Sequence, residues 1–234
     1  MIHNPWIAAF ITLVICLIWM RINNLIANKN LISSSTSRKI VHIGTGPVFL
    51  LCWLLFPDHI LSKYLAAVVP LLIVLQLTLV GLGFVKDDSS IKAMARTGSK
   101  NELLKGPFFY GIVFVLLTVL FWKSPYSIIP LMILCGGDGM ADLIGSRFGH
   151  RQIPWNKHKT ILGSLSMFIS GFALSLLLVI PFISTGFIES PLSQYIVPIM
   201  TISLVGTIIE SLTHSEYDNI SVPAISLILS LILL

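Results

Sequence analysis

The chain of 234 residues is 55% hydrophobic and only 11% charged. A soluble domain carries about 25% charged residues, so this composition excludes an ordinary soluble domain and favours a protein that crosses a membrane several times. The net charge of +5 does not indicate nucleic-acid binding, because topology and anionic lipid headgroups explain basic residues in membrane proteins. Cys16, Cys52 and Cys135 form no CxxC pair, which argues against a zinc site and a disulfide framework.

Eight apolar runs predict eight transmembrane helices, with seven as the alternative count. The runs lie near residues 5–20, 41–57, 64–85, 107–122, 125–135, 163–183, 193–209 and 221–234. The first run has neither a basic segment before it nor a cleavage site after it, so we expect a retained span. No internal repeat or low-complexity linker divides the chain. We therefore predict an all-α polytopic membrane bundle that forms one domain over residues 1–234.

Lysine and arginine concentrate in the loops after the first, third and fifth runs, which hold all of them except Lys63 and Lys123. Cytoplasmic loops collect these residues, so we expect the odd-numbered loops on the cytoplasmic or stromal side and the N-terminus on the opposite side. The seventh loop is acidic and polar instead. It contains Glu210, His214, Glu216 and Asp218. One membrane face is therefore expected to combine three basic loops with two that carry carboxylates.

Arg38, Lys39 and His42 lie where the first loop enters the second span, in the stretch SRKIVHIGTGPV. His42 follows Arg38 by four residues, a spacing that places both side chains on one face of a helix. One interpretation is a topological anchor at the lipid headgroups. The other is an anion site for phosphate.

The stretch CGGDGMADLIGSRFG, residues 135–149, sets Asp138 and Asp142 four residues apart and ahead of Arg147. At a helix start the two carboxylates would share a face, and Gly137 would let backbone N–H groups approach a phosphate. Two such carboxylates repel unless a cation lies between them, and Mg²⁺ is the usual cation where carboxylates meet substrate phosphates. The alternative is an ordinary capped helix start.

Lys159 and Thr160 precede Gly163 and Ser164 at the entry to the sixth span, in NKHKTILGSL. A basic point charge beside hydroxyl groups at a helix entry favours phosphate binding. The stretch is not a P-loop, because the pattern GxxxxGK followed by Ser or Thr is absent. A basic topological anchor is the alternative interpretation.

Glu210 stands at the end of the seventh apolar run, where a carboxylate without a partner is costly. Asp218, Asn219 and Pro223 follow it in ESLTHSEYDNISVP and indicate a turn into the last span. Carboxylate and amide oxygens both suit Mg²⁺. The stretch is therefore either part of a metal site or a polar turn.

Together these stretches resemble the CTP-dependent lipid-alcohol kinases, the family of phytol, farnesol and dolichol kinases, and most of all its phytol kinase branch. The resemblance rests on RKIVHIGTG (38–46), GDGMADLIGSRFG (137–149), KTILGS (159–164) and ESLTHSEYDNISVP (210–223). It implies transfer of the terminal phosphate of CTP, or of another nucleoside triphosphate, to a long-chain isoprenoid alcohol such as phytol. Leu162 stands where dolichol kinases commonly have an acidic residue, so dolichol specificity is not implied.

The resemblance also implies roles for the residues of these stretches. We expect the catalytic residues to be Asp138, Asp142 and Glu210. The phosphate-binding or nucleotide-binding residues are expected to be Arg38, Lys39, His42, Gly137, Arg147, Lys159, Thr160, Gly163 and Ser164. The ligands of Mg²⁺ or another divalent cation are expected to be Asp138, Asp142, Asp218 and Asn219.

Other functions stay open on the sequence alone. A CTP-dependent diacylglycerol kinase and a phosphatidate cytidylyltransferase would handle the nucleotide with similar residues. A small transporter would carry charges at mid-membrane on broken helices, and it would have paired repeats, which this sequence lacks. The motifs record neither the chain length of the alcohol, nor the base of the nucleotide, nor the oligomeric state.

Overall fold

The computed structural model describes residues 2–29, 31–95, 98–213 and 217–234. His214 and Glu216 of the acidic loop lie outside these ranges. The structure is 78% helical, which confirms the predicted all-α class. The helices are α1 (Pro5–Asn28), α2 (Ser34–Cys52), α3 (Ser62–Leu82), α4 (Asp88–Met94), α5 (Gly106–Leu120), α6 (Pro125–Met132), α7 (Gly139–Phe148), α8 (Ile161–Ser184), α9 (Ser193–Leu212) and α10 (Asp218–Leu233).

Three shorter helical segments and one hairpin complete the structure. Trp53–Leu55 and Lys100–Leu104 are 3₁₀ turns, and Ile133–Asp138 is a π-helical turn between α6 and α7. Strands β1 (Gln152–Ile153) and β2 (Asn156–Thr160) pair antiparallel between α7 and α8. The sequence analysis predicted no strand, because the hairpin is too short to produce an alternating hydrophobic pattern.

Seven helical segments among the described residues are long and apolar enough to cross a membrane, and α10 is a shorter apolar helix. They are Pro5–Asn23, Ser35–Leu55, Ser62–Leu82, Lys100–Leu120, Pro125–Phe148, Ile161–Ser184 and Ser193–Leu212. This architecture confirms the prediction of a polytopic helical membrane protein with seven or eight spans. The fifth segment is the most deeply buried: 72% of its apolar window is buried, against at most 44% in any other.

The chain forms two compact units. The first comprises Met1–Val41 and Leu51–Leu120, and the second comprises His42–Leu50 and Phe121–Leu234. In the first unit, α3 packs against α1 and α5. Arg38 donates to the carbonyl oxygen of Ala95 at 3.1 Å, which ties the start of α2 to the end of α4. The expectation of one domain over residues 1–234 stays a prediction.

In the second unit, α8 packs against α7, the π-helical turn and α9, while α10 packs against α6 and α9. The chain continues without a break from α6 through the π-helical turn into α7, as one span over Pro125–Phe148. The predicted end of the fifth span at residue 135 was therefore wrong. The apolar run ends there because Gly136, Gly137 and Asp138 follow it, whereas the helical backbone continues through them.

Close packing explains why glycine is present within this span. A Cβ added to Gly137 would lie 3.3 Å from Met167 Cγ and 3.6 Å from Gly171 Cα. The absence of a side chain at Gly137 therefore lets the π-helical turn approach α8 closely. Such turns are rare and occur frequently at functional sites, and this one ends at Asp138.

The hairpin leads directly into α8 and orients Lys159. Thr160 ends β2 and caps α8, because its Oγ1 accepts a hydrogen bond from Gly163 N at 3.1 Å. An N-cap of this kind stabilises a helix by about 1 kcal/mol. Lys157 and His158 of β2 are exposed, whereas Lys159 is largely buried. The hairpin therefore points one of its basic side chains into the second unit.

Candidate active site

Four charged side chains meet within the second unit. Asp138 ends the π-helical turn, Lys159 lies on β2, Glu210 is in the last turn of α9 and Asp218 begins α10. Each of the three carboxylates offers an oxygen, and these oxygens lie within 4.8 Å of one another. Glu210 and Asp218 are 2% exposed, and the side chain of Asp138 is 20% exposed. We refer to Asp138, Glu210 and Asp218 as the acidic trio.

Lys159 supplies the counter-charge to the acidic trio. Its Nζ donates to Glu210 Oε1, and to Asp218 Oδ2 at 2.6 Å. Burial by itself would lower the pKa of Lys159, but the carboxylates of Glu210, Asp138 and Asp218 outweigh burial and raise this pKa to about 12. The lysine is therefore charged at every physiological pH, and it offsets part of the cost of burying the carboxylates.

A second bond holds Asp218 in place. Thr213 Oγ1 donates to Asp218 Oδ1. Thr213 directly follows α9 and Asp218 opens α10, so this bond spans the connection between the two helices. The sequence analysis missed Thr213. The available signal was a hydroxyl residue three positions after Glu210 in a stretch already rich in carboxylates.

The hairpin is fastened to the end of α9, which also bears Glu210. Trp155 Nε1 donates to Ser211 Oγ at 3.2 Å, and Asn156 Nδ2 donates to the carbonyl oxygens of Ser211 and Thr213, each at 3.2 Å. The last carbonyl groups of a helix lack partners within the helix, and Asn156 provides donors for them. These bonds fix β2, and with it Lys159, against α9. The sequence analysis missed both hairpin residues.

His42 approaches the acidic trio from α2. Its Nε2 lies 3.5 Å from Asp138 Oδ2. The approach depends on Gly139, because a Cβ there would overlap Ile43 and would lie 3.0 Å from His42 Cδ2. The structure thus brings His42 together with Asp138, which is the most exposed member of the trio. Phosphate binding by His42 stays a prediction.

Glu210 Oε2, at this site, and Asn219 Oδ1, on the residue after Asp218, are buried and have no hydrogen-bond partner among the described residues. An unpaired buried oxygen costs about 1–3 kcal/mol, and in a native structure it frequently accompanies a bound ion or water. Carboxylate and amide oxygens are the ligands that hard divalent cations prefer. The acidic trio therefore fits a divalent cation. The expected role of Asn219 as a ligand stays a prediction.

Asp142 is not a member of the acidic trio. It lies one helical turn beyond Asp138 on α7, and it is exposed. A step of four residues carries a side chain about 6 Å along the helix axis, which takes Asp142 away from Asp138 into the first turn of α7. The structure instead supplies Glu210 and Asp218 as neighbours of Asp138. The expected catalytic and metal-binding roles of Asp142 stay predictions.

The structure does not show a shared phosphate site for the remaining residues that the sequence predicted to bind phosphate. Thr160 and Gly163 form the cap of α8, and Gly137 lies in the π-helical turn against α8. Ser164 Oγ is buried without a hydrogen-bond partner among the described residues, and Arg147 is exposed in the last turn of α7. Their contacts to phosphate stay predictions.

Arg38 and Lys39 belong to the first unit. Arg38 donates to a backbone carbonyl of that unit, and Lys39 is buried with 8% of its surface exposed. Of the N-terminal basic stretch, only His42 belongs to the unit that contains the acidic trio. Phosphate binding by Arg38 and Lys39 stays a prediction.

No protein-family model matches the chain, and no solved structure matches it. It is 38% identical over 211 residues to the probable chloroplastic phytol kinase of Triticum aestivum, a match that covers 89% of this chain and 70% of the relative. It is 40% identical over 201 residues to the chloroplastic phytol kinase 1 of Arabidopsis thaliana, covering 85% and 66%. It is 38% identical over 200 residues to the chloroplastic farnesol kinase of Arabidopsis thaliana, covering 84% and 65%.

The ion pairs of Lys159 predict how stability depends on alkaline pH. The pKa of Lys159 is about 12 in the folded protein and 10.5 ordinarily. Its contribution to the free energy of unfolding is therefore complete below about pH 10.5 and is lost as the pH rises through 12. We expect the difference in unfolding midpoint between the wild type and Lys159→Met to stay constant up to about pH 10.5 and then to shrink. Lys157→Met, on the exposed face of the same strand, should follow the wild type throughout. A difference between the wild type and Lys159→Met that is unaffected by alkaline pH would contradict the assignment.

Proposed function

This chain belongs to the lipid-alcohol kinase family of its phytol and farnesol kinase relatives, and on that premise we propose that it phosphorylates a long-chain isoprenoid alcohol such as phytol with CTP. The products are phytyl phosphate and CDP. As a lipid-alcohol kinase, the protein uses a nucleotide phosphate donor. The observation that carries the proposal is the acidic trio, which is buried within a unit of apolar helices and paired with Lys159.

Phosphoryl transfer needs cations around the transferred group and a positioned acceptor hydroxyl, and it needs little covalent chemistry from the protein. The second unit contains candidates for both requirements. Asp138, Asp218 and Asn219 would hold Mg²⁺, which neutralises the charge that develops on the phosphate oxygens. Lys159 would contribute a further positive charge to the phosphates, and Arg147 would assist it.

Glu210 is the proposed group that orients the alcohol. Its Oε1 accepts from Lys159, while its Oε2 has no hydrogen-bond partner among the described residues and is available to accept the hydroxyl proton. The helix that bears Glu210 also has exposed apolar side chains, including Val197, Leu204 and Ile208. An isoprenoid alcohol dissolved in the bilayer can therefore lie along this unit with its hydroxyl at the polar end of α9.

We further propose that the site opens to the cytoplasmic or stromal side of the membrane, with the N-terminus on the opposite side. The hairpin beside the acidic trio carries exposed basic residues, including Lys157, and the positive-inside rule places such loops on that side. A charged nucleotide would then reach the site from water while the lipid reaches it from the bilayer.

Product analysis tests the reaction directly. The purified protein is reconstituted in bilayers with Mg²⁺ and given CTP or ATP labelled at the terminal phosphate, together with phytol, farnesol, a polyprenol, diacylglycerol or phosphatidate. We expect label in phytyl phosphate, with CDP released, and faster transfer from CTP than from ATP. Label in pyrophosphate with formation of a CDP-lipid would identify a cytidylyltransferase instead. Transfer to diacylglycerol alone would identify a diacylglycerol kinase.

Replacing Asp138 with asparagine tests the proposed metal role. Asp138→Asn preserves the size of the side chain and removes one negative charge from the acidic trio, so we expect kcat to fall on the order of a hundredfold. The Mg²⁺ concentration needed for half-maximal rate should rise. The matched control is Glu189→Gln, an exposed carboxylate of the same unit, which should leave both values unchanged. Full activity of Asp138→Asn with an unaltered Mg²⁺ dependence would refute the assignment.

A further inference from the structure

Lys159 binds the same carboxylates that the proposed function assigns to the metal and to the alcohol. Its Nζ contacts Asp218 Oδ2 at 2.6 Å and also Glu210 Oε1. An ammonium group and a divalent cation within a few ångströms of each other repel strongly, because the low effective dielectric of a buried site screens them poorly. The two cations therefore compete for Glu210 and Asp218.

The spacing of the acidic trio also favours competition between the two cations. Its oxygens lie within 4.8 Å of one another, so a cation bound by the trio lies close to Glu210 and Asp218. Lys159 Nζ already contacts both of these carboxylates. Binding of the cation therefore favours withdrawal of the lysine.

Lys159 is also the partner best able to move. Its ammonium lies at the end of a flexible four-carbon stem, and the preceding residues of β2, Lys157 and His158, are exposed. Glu210 and Asp218 are instead held on helices, and Asp218 is fixed further by Thr213. Once its ammonium is no longer bound to the carboxylates, the lysine can bind phosphate oxygens as a point charge.

We propose that Lys159 is an exchangeable counter-cation, which a divalent cation entering the acidic trio displaces from Glu210 and Asp218 so that its ammonium turns to the nucleotide phosphates. The inference rests on the proposed metal role of the trio. Displacement also uncovers Glu210 for the alcohol hydroxyl. The metal and the nucleotide then bind cooperatively, because the metal releases a phosphate ligand and each strengthens the binding of the other.

Chemical labelling of the wild-type protein tests the displacement without any substitution. The full chain in bilayers is treated with an amine-acylating reagent, with and without saturating Mn²⁺, and acylation of each lysine is measured by mass spectrometry. We expect the rate at Lys159 to rise on the order of tenfold with Mn²⁺, while the rate at exposed Lys157 stays constant. An unchanged rate at Lys159 under conditions where Mn²⁺ is bound would overturn the proposal.

Mn²⁺ affinity, measured by electron paramagnetic resonance, separates this inference from the metal site itself. Lys159→Met should bind Mn²⁺ on the order of tenfold more tightly than the wild type, because the competing cation is gone, and Lys157→Met should bind like the wild type. If Lys159→Met binds Mn²⁺ as tightly as the wild type or more weakly, the displacement of Lys159 is refuted while the proposed metal site stands. If Asp138→Asn binds Mn²⁺ as the wild type does, or if no protein binds it, the proposed metal site fails and the exchange fails with it.

Discussion

The site depends on one constraint, which is that Glu210 and Asp218 are carboxylates with almost no exposure to solvent. Removing a carboxylate from water costs several kcal/mol unless a partner of opposite charge and further hydrogen bonds compensate. Lys159 provides the charge, and Thr213 provides an additional bond to Asp218. Because Lys159 comes from the hairpin, the hairpin must be held against α9, and Trp155 and Asn156 supply those contacts.

The polar groups of the site come from several segments of the second unit that are distant in the chain. Asp138 belongs to a π-helical turn that packs closely against α8. His42 belongs to α2, and its ring packs against Gly139, where a side chain would block it. None of these segments could form the site alone, so the site exists only when the helices of the unit have packed. Membrane-facing apolar helices thus hold a compact polar centre, which is the arrangement that a kinase acting on a lipid alcohol requires.

Hydropathy predicted most of the fold, because helices that cross a membrane need long apolar runs whatever their partners. The family resemblance and the clustering of polar residues at span ends also predicted a shared site for Asp138, Lys159, Glu210 and Asp218, and the structure brings these four side chains together. Sequence spacing did not reveal the π-helical turn, since the apolar run stops before the glycines and Asp138. It grouped Asp142 with Asp138, whereas the structure brings Glu210 and Asp218 to Asp138. Thr213 and Asn156 were missed because their roles depend on contacts between helix ends and a hairpin, which no local pattern records.

If the acidic trio binds a divalent cation, Lys159 gives way to it. A crystal structure of the protein with Mn²⁺ and a non-hydrolysable CTP analogue, recorded at the Mn²⁺ absorption edge, would show this exchange. We expect an anomalous peak between Asp138 and Asp218, with the ammonium of Lys159 on a phosphate oxygen. A peak elsewhere in the chain, or a lysine that still bridges Glu210 and Asp218 beside the bound cation, would contradict it.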